Sequence, residues 1–288
     1  MTIAAGIHAL TADEYHADPC DRPSLSASIA HVLCEQSPAH ARAAHPKLGP
    51  KVERDGEEKF DVGTAAHSLF LQGDDIIEVV YAPDWRTKVA QQQREEARAA
   101  GRIPLLVDQD RRVREMVAAI REQIATHEAD PPLFTDGRPE QTVVWEEDGV
   151  LCRSRIDWLR HDHLAIDDLK TTAASANPEA WTRTMLTIGA DIEARFHARG
   201  VKALTGVEPE FRFVVVENKP PYALSVVSLA PSMAALADDK IGFALATWKL
   251  ATSTGRWPGY TRRVAFAESP AWAEARWLER EAREDMAA

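Results

Sequence analysis

Cysteine is scarce in this chain. Cys20, Cys34 and Cys152 are far apart and odd in number, which excludes a disulfide framework and a four-cysteine zinc or iron–sulfur cluster; they read as reduced thiols. Long apolar runs are lacking too. No stretch reaches the roughly 18 to 20 residues that a membrane helix needs. The start, Met1-Thr-Ile-Ala-Ala-Gly-Ile7, has neither the basic opening nor the apolar core of a secretion signal. A soluble cytoplasmic protein without a membrane partner is therefore expected. Positive charge is in deficit, with a formal net charge of −11. That argues against a protein that merely coats nucleic acid, although an acidic chain still engages phosphates where its cations are concentrated. No internal repeat or low-complexity tract interrupts the sequence.

What is present suffices for a large core: 288 residues, 45% of them hydrophobic. No shift in composition divides the chain, so one domain over residues 1–288 is expected. It would comprise a helical N-terminal elaboration to about residue 130, a core over about 131–255 and a charged tail from 256. Capping serines and prolines predict helices over 23–36 and from Ser37-Pro38. Further helices are expected over 57–72, 91–100, 109–127 and 233–252, and over 178–199 with a stop at Gly200. The tail from Pro270, with Trp272 and Trp277, reads as helical. Strands are expected over 76–81, 142–146, 150–159, 163–170, 211–217 and 222–229, with Asp148-Gly149 as a hairpin turn. The class is α/β or α+β, a mixed sheet of about five strands flanked by helices.

The most informative stretch is Leu151 to Lys170, two strands joined by a polar turn at Arg160 to Asp162. Alternation places Asp168 and Lys170 on one face and Asp167 on the other. If the strands pair, Asp157 approaches that same face. Two carboxylates so close repel each other unless a cation lies between them. Hard oxygen ligands suit magnesium, and a neighbouring ammonium can hold the attacking water and stabilise developing charge; this is the composition of a phosphodiester-hydrolysing site. The competing account is a solvated hairpin face.

Other residues are candidates with alternatives of their own. Arg153 and Arg155 alternate onto the face assigned to Asp157, either as phosphate clamps or as ordinary surface cations. From Trp85 to Gln123 there are nine Lys or Arg against six Asp or Glu; Arg86 and Lys88 belong to this run, which is a DNA contact or a solvated helical face. His67, in Gly63-Thr-Ala-Ala-His67, shares a helical face with Phe60, Thr64 and Leu71. It is a ligand of metal or phosphate, or a histidine satisfied within a packing face. Glu140 is a further carboxylate near the metal or a surface acid. Glu193 and His197 lie one helical turn apart and pair with each other or join the site.

Together these motifs resemble a known group. Tyr15-His-Ala with Pro23-Ser-Leu-Ser, Gly63-Thr-Ala-Ala-His67, Trp85-Arg-Thr-Lys88 with Gly101-Arg-Ile-Pro-Leu, and Glu140 with the Trp145 strand occur in order. Cys152-Arg-Ser-Arg-Ile-Asp157, Ile166-Asp-Asp-Leu-Lys170-Thr-Thr and Val216-Glu-Asn-Lys-Pro-Pro-Tyr222 complete the set. The chain is similar to the PD-(D/E)XK nuclease superfamily and, within it, to the exodeoxyribonuclease VIII (RecE-like) branch of phages and prophages. The resemblance implies a restriction-endonuclease-like core and a metal-dependent exonuclease using Mg2+, with Mn2+ as the alternative ion. Such an enzyme would degrade one strand of a duplex DNA end from its 5′ terminus and leave a 3′ strand for a RecT-like annealing protein in recombination. Asp157 and Asp168 match the metal-binding acids, Lys170 the catalytic lysine and His67 the family's histidine, a further member of the metal shell. The backbone carbonyl of Leu169 would complete the shell, and a homo-oligomeric ring is implied. In one respect the chain departs: Glu193 and His197 occupy positions where the family carries Gln and Tyr. An endonuclease of the same fold and a catalytically silent DNA-binding or scaffold protein are the alternatives.

Overall fold

The computed structural model describes residues 3–50, 62–73 and 76–285. The first half contains β1 (Gly6–Ala9), α1 (Ala12–His16), β2 (Leu25–Ser26), α2 (Ala27–Glu35), α3 (Pro38–Ala44), α4 (Val62–Gln72), β3 (Ile77–Val80), α5 (Lys88–Ala99), β4 (Ile103–Leu106) and α6 (Val107–Ala125). The second half contains β5 (Gly137–Glu147), β6 (Val150–Arg160), β7 (Ala165–Thr172), α7 (Pro178–Ile188), α8 (Ala190–Thr205), β8 (Glu210–Glu217), β9 (Leu224–Val227), α9 (Pro231–Thr254) and α10 (Ala271–Asp285). Helix starts follow local chemistry. Thr11 and Glu14 form a reciprocal capping box on α1, the Ser26 hydroxyl accepts from the Ile29 N–H at the start of α2, and α3, α7 and α9 open with proline.

The main sheet has seven strands in the order β1-β5-β6-β7-β8-β9, with β2 joined to β6; β3 and β4 form a separate parallel pair. Asp148 and Gly149, both at positive φ (51° and 79°), close the β5–β6 hairpin as the alternating strands require. β7 and β8 run parallel from Ala165↔Glu210 to Thr172↔Glu217, with α7 and α8 as the crossover between them. The sheet is covered on both faces. Trp145, Ile166, Phe213 and Val215 pack with α2, α7, α8 and α9 on one side, while Leu169, Val214 and Val216 pack with α4 and α6 on the other. The architecture is therefore a mixed α/β fold with helices flanking a central sheet. Among the described residues, no helix is long and apolar enough to cross a membrane.

Several expected boundaries are corrected. The expected five strands become seven because β1 and β2, too short to show alternation, add to the sheet at β5 and β6. The single helix over 178–199 is two. Gly189, at φ 73°, breaks it where a Cβ would lie 2.4 Å from the His31 ring. Gly200 does not end α8; it lies inside it, facing the Trp145 ring, and the helix stops at the left-handed Gly206 (φ 77°). The helix expected over 57–72 is seen as α4, residues 57–61, Phe60 among them, lying outside the described set. The tail helix is present as α10, with Trp272 and Trp277 exposed.

The closeness of α8 to β5 is testable. A Cβ at Gly200 would stand 2.7 Å from Trp145 Cζ3, so Gly200→Ala should lower unfolding free energy by roughly 1–3 kcal/mol through overpacking. Chemical denaturation checks this; an unchanged midpoint would show that the indole yields without cost.

Candidate metal centre

Strand β6 changes partner along one edge. Its Cys152 and Arg153 pair with β2, and its Trp158 and Leu159 pair with β7. Asp157 stands at the fork. The β5–β6 register pairs Pro139 with Trp158 and Gln141 with Ile156, which leaves Glu140 and Asp157 opposite one another outside the ladder. Glu140 is at φ 55°, a left-handed conformation unusual for a residue with a side chain. Strand alternation is interrupted at this point: Ile156 and Leu159, three residues apart, both face the same core.

With the β6–β7 ladder ended, the Asp157 carboxylate takes over its role. Its Oδ2 accepts the Leu169 N–H at 3.0 Å and lies 2.8 Å from His67 Nε2. His67 arrives on α4, whose Ala65 and Ala66 are fully buried and let the helix approach β5 and β7 closely. Burial alone would push the Asp157 carboxyl up. His67, Lys170 and the Leu169 N–H outweigh it and bring the value down to about 2. Burial likewise opposes charge on His67, and Asp157, Glu140 and Asp168 overcome it, so this imidazole is raised.

Asp168 continues the same register and is 1% exposed. Lys170 Nζ lies 2.8 Å from Asp168 Oδ1 and 3.0 Å from Glu193 Oε2. It also stands 5.9 Å from the centre of the Phe213 ring, a residue the sequence did not single out. The β7–β8 register, which pairs Asp168 with Phe213, is what brings that ring to the site. Burial pushes the Asp168 carboxyl up, and Asp157 and Glu193 add to it against the pull of Lys170. Lys170 is raised, the three carboxylates Asp168, Glu193 and Asp157 outweighing its burial. Thus Asp157, Asp168, Lys170, His67 and Glu193 form one connected cluster.

The other expected residues are placed differently. Arg153 is 3% exposed, donates to the Ser24 carbonyl and hydroxyl, and lies 3.4 Å from the buried Asp18. It braces the fold and does not line an approach for phosphate. Arg155 is paired at very short range with Glu140, each about one-sixth exposed, so both expected roles for these two are taken up by their mutual ion pair. Arg155 stays at the edge of the cluster through Glu140, which acts on His67, whereas Arg153 is committed to Asp18 and Ser24. His197, 4% exposed, turns from the carboxylates; its Nε2 donates to the Arg155 carbonyl at 2.9 Å and docks α8 on β6. Burial lowers its pKa, which suits this neutral role. Arg86 is 91% exposed in its side chain beside Asp84, and Lys88 is exposed at the start of α5; neither contacts the carboxylates. Asp167 points away, as alternation predicts. It accepts from Arg212 Nε and the Phe134 N–H, both at 2.7 Å. Asp18, a buried carboxylate held by Ser24, His45 and Arg153, was not anticipated; no local pattern marks it.

Among the described residues no three His, Cys, Asp or Glu side chains converge to make a metal shell by themselves. The donors nonetheless suit a hard divalent cation that keeps several waters: two aspartates on adjoining strands, next to a backbone carbonyl at Leu169, with Asp168 buried and its carboxyl raised. Asp157 and Asp168 would hold the ion. Bound there, it would stabilise charge on phosphoryl oxygens and lower the pKa of its water.

Comparison with known proteins gives the family and the fold. Residues 26–270 match the family described as PDDEXK-like domain of unknown function (DUF3799), and the chain belongs to it. A crystal structure from Eubacterium rectale, provisionally named an exonuclease, aligns over 91% of this chain and 96% of its own at 14% identity with a TM-score of 0.59; at that identity the likeness shows the fold. A second structure, SSO0001, covers 63% of this chain and 84% of its own at 11% identity, but its TM-score of 0.25 carries no weight. No protein of curated function matches the chain.

The neighbouring aspartates should differ in what their loss leaves behind. Asp167→Ala leaves Arg212, 3% exposed in its side chain, uncompensated and should cost about 3–5 kcal/mol of stability. Asp168→Asn should cost less, because Lys170 keeps Glu193 at 3.0 Å and the carboxylate crowding around Asp157 and Glu193 is relieved. Melting curves of both variants at neutral pH test this; a loss with Asp168→Asn as large as with Asp167→Ala would contradict it.

Proposed function

We propose that this protein is a divalent-metal-dependent exodeoxyribonuclease that degrades one strand of linear duplex DNA, in the 5′ to 3′ sense, leaving a 3′ strand for recombination by annealing. The reading rests above all on the convergence of Asp157, Asp168 and Lys170 at the fork of β6, within a PDDEXK-like family. The name of the Eubacterium rectale relative supports exonuclease over endonuclease. Mg2+ is the ion in this reading, with Mn2+ able to replace it. The cytoplasm is its compartment, duplex ends are its substrate, a RecT-like annealing protein takes its product, and a homo-oligomeric ring keeps hold of the DNA.

Each residue has a defined task. Asp157, kept ionised by His67, Lys170 and the Leu169 N–H, and Asp168 would hold the ion and so fix where the scissile phosphate lies. Lys170 holds the attacking water or stabilises charge on the phosphoryl oxygens. His67 keeps the Asp157 carboxylate oriented. The exposed Arg86 and Lys88 contribute cations to the DNA path.

End-labelled linear duplex and covalently closed circles, each incubated with Mg2+, separate the readings. An exonuclease consumes the first and spares the second; cutting of circles marks an endonuclease, and no cutting of either marks a scaffold. Asp168→Ala should abolish hydrolysis. Lys170→Ala should lower turnover by about 10²–10⁴-fold with little change in duplex affinity, measured by single-turnover cleavage and by equilibrium binding. An equal loss in both would make it a phosphate contact instead.

A further inference from the structure

Lys170 is shared between two carboxylates that are not equivalent. Asp168, 2% exposed in its side chain, faces Asp157 across the fork; Glu193, 29% exposed, comes from the first turn of α8. The ammonium is 2.8 Å from one and 3.0 Å from the other. Glu193 is presented on a fixed support. One turn further along α8, His197 is buried and bonded to the β6 backbone, and Ala194 and Phe196 lie in the core. A divalent ion between Asp157 and Asp168 would draw on the oxygens that Lys170 now neutralises. Cation and ammonium repel at such distances, so a lysine tied to Asp168 alone would either keep the ion out or be driven off.

We infer that Glu193 is a positioning residue that offers Lys170 a second carboxylate, so that a divalent ion can occupy Asp168 while the lysine stays beside it. Glu193 then acts on the ion through the lysine and not as a ligand. This rests on the reading of Asp157 and Asp168 as metal ligands, and the experiment separates the two.

Mn2+ binding to the full chain without DNA, followed by calorimetry and by the electron paramagnetic resonance of free Mn2+, provides the readout. Glu193→Gln should weaken binding about 5- to 150-fold, the range of typical coupling between sites, because the lysine is left on Asp168. In a Lys170→Met background there is no competing ammonium, so adding Glu193→Gln should change nothing. Equal weakening in both backgrounds would make Glu193 a direct electrostatic partner of the ion and overturn the inference; so would full affinity in the single Gln variant. Lys170→Met alone gives a second measure that needs no change at Glu193. It should tighten binding by less than about five-fold, since the lysine is already held away, and a larger gain would refute the idea. Wild-type protein that melts cooperatively yet takes up no Mn2+ would instead bring down the metal-centre reading and this inference with it.

Discussion

The rest of the site depends on the hydrogen bond from the Leu169 N–H to the Asp157 carboxylate, 3.0 Å long. Backbone groups at the end of a ladder need partners, and an unsatisfied one in a buried setting is costly. Here a side chain supplies the partner. The same bond that closes the strand edge orients an acid that His67 and Lys170 chiefly keep ionised, and sets it opposite Asp168. A fork between strands would otherwise be a weak point in the sheet; it has become the place where charge accumulates.

Charge balance follows from that placement. Asp157, Asp168 and Glu193 meet Lys170 and His67, while Glu140 is cancelled by Arg155. The outcome is uneven. Asp157 is driven down by His67, Lys170 and its backbone donor, whereas Asp168 is driven up by burial and by its acidic neighbours. Two carboxylates of one chemical kind are thus given different characters by their surroundings, a pattern common where groups are gathered to act and not only to hold a fold. The Asp18 cluster is the structural counterpart. Its carboxylate is also buried and paired, yet its contacts tie a loop to Ser24, His45 and the β6 residue Arg153.

Much of this was legible in the sequence, for identifiable reasons. Alternation separates Asp167 from Asp168 and predicts which one joins Lys170. Asp148-Gly149 announces the hairpin that sets the β5–β6 register, and the Ser37-Pro38 cap marks α3. What escaped were features decided by tertiary contact. Alternation is interrupted between Ile156 and Leu159, opposite the left-handed Glu140, and the ion pairs that claim Arg153 and Arg155 come from distant loops and from β5. Gly200 reads as a helix stop, but its missing side chain is used for closeness to Trp145. β1 and β2 owe their existence to the strands they join. The His197 ring binds a carbonyl on another element, which no spacing along α8 could reveal.

The two basic partners at the fork bear on the order of events. Structural zinc modules are often unfolded until the metal arrives, because their site does not exist in the unfolded chain. Here the aspartates already have His67 and Lys170 as partners within 2.8 Å. An ion held by Asp157 and Asp168 would then be a guest of a finished fold and not part of its scaffold.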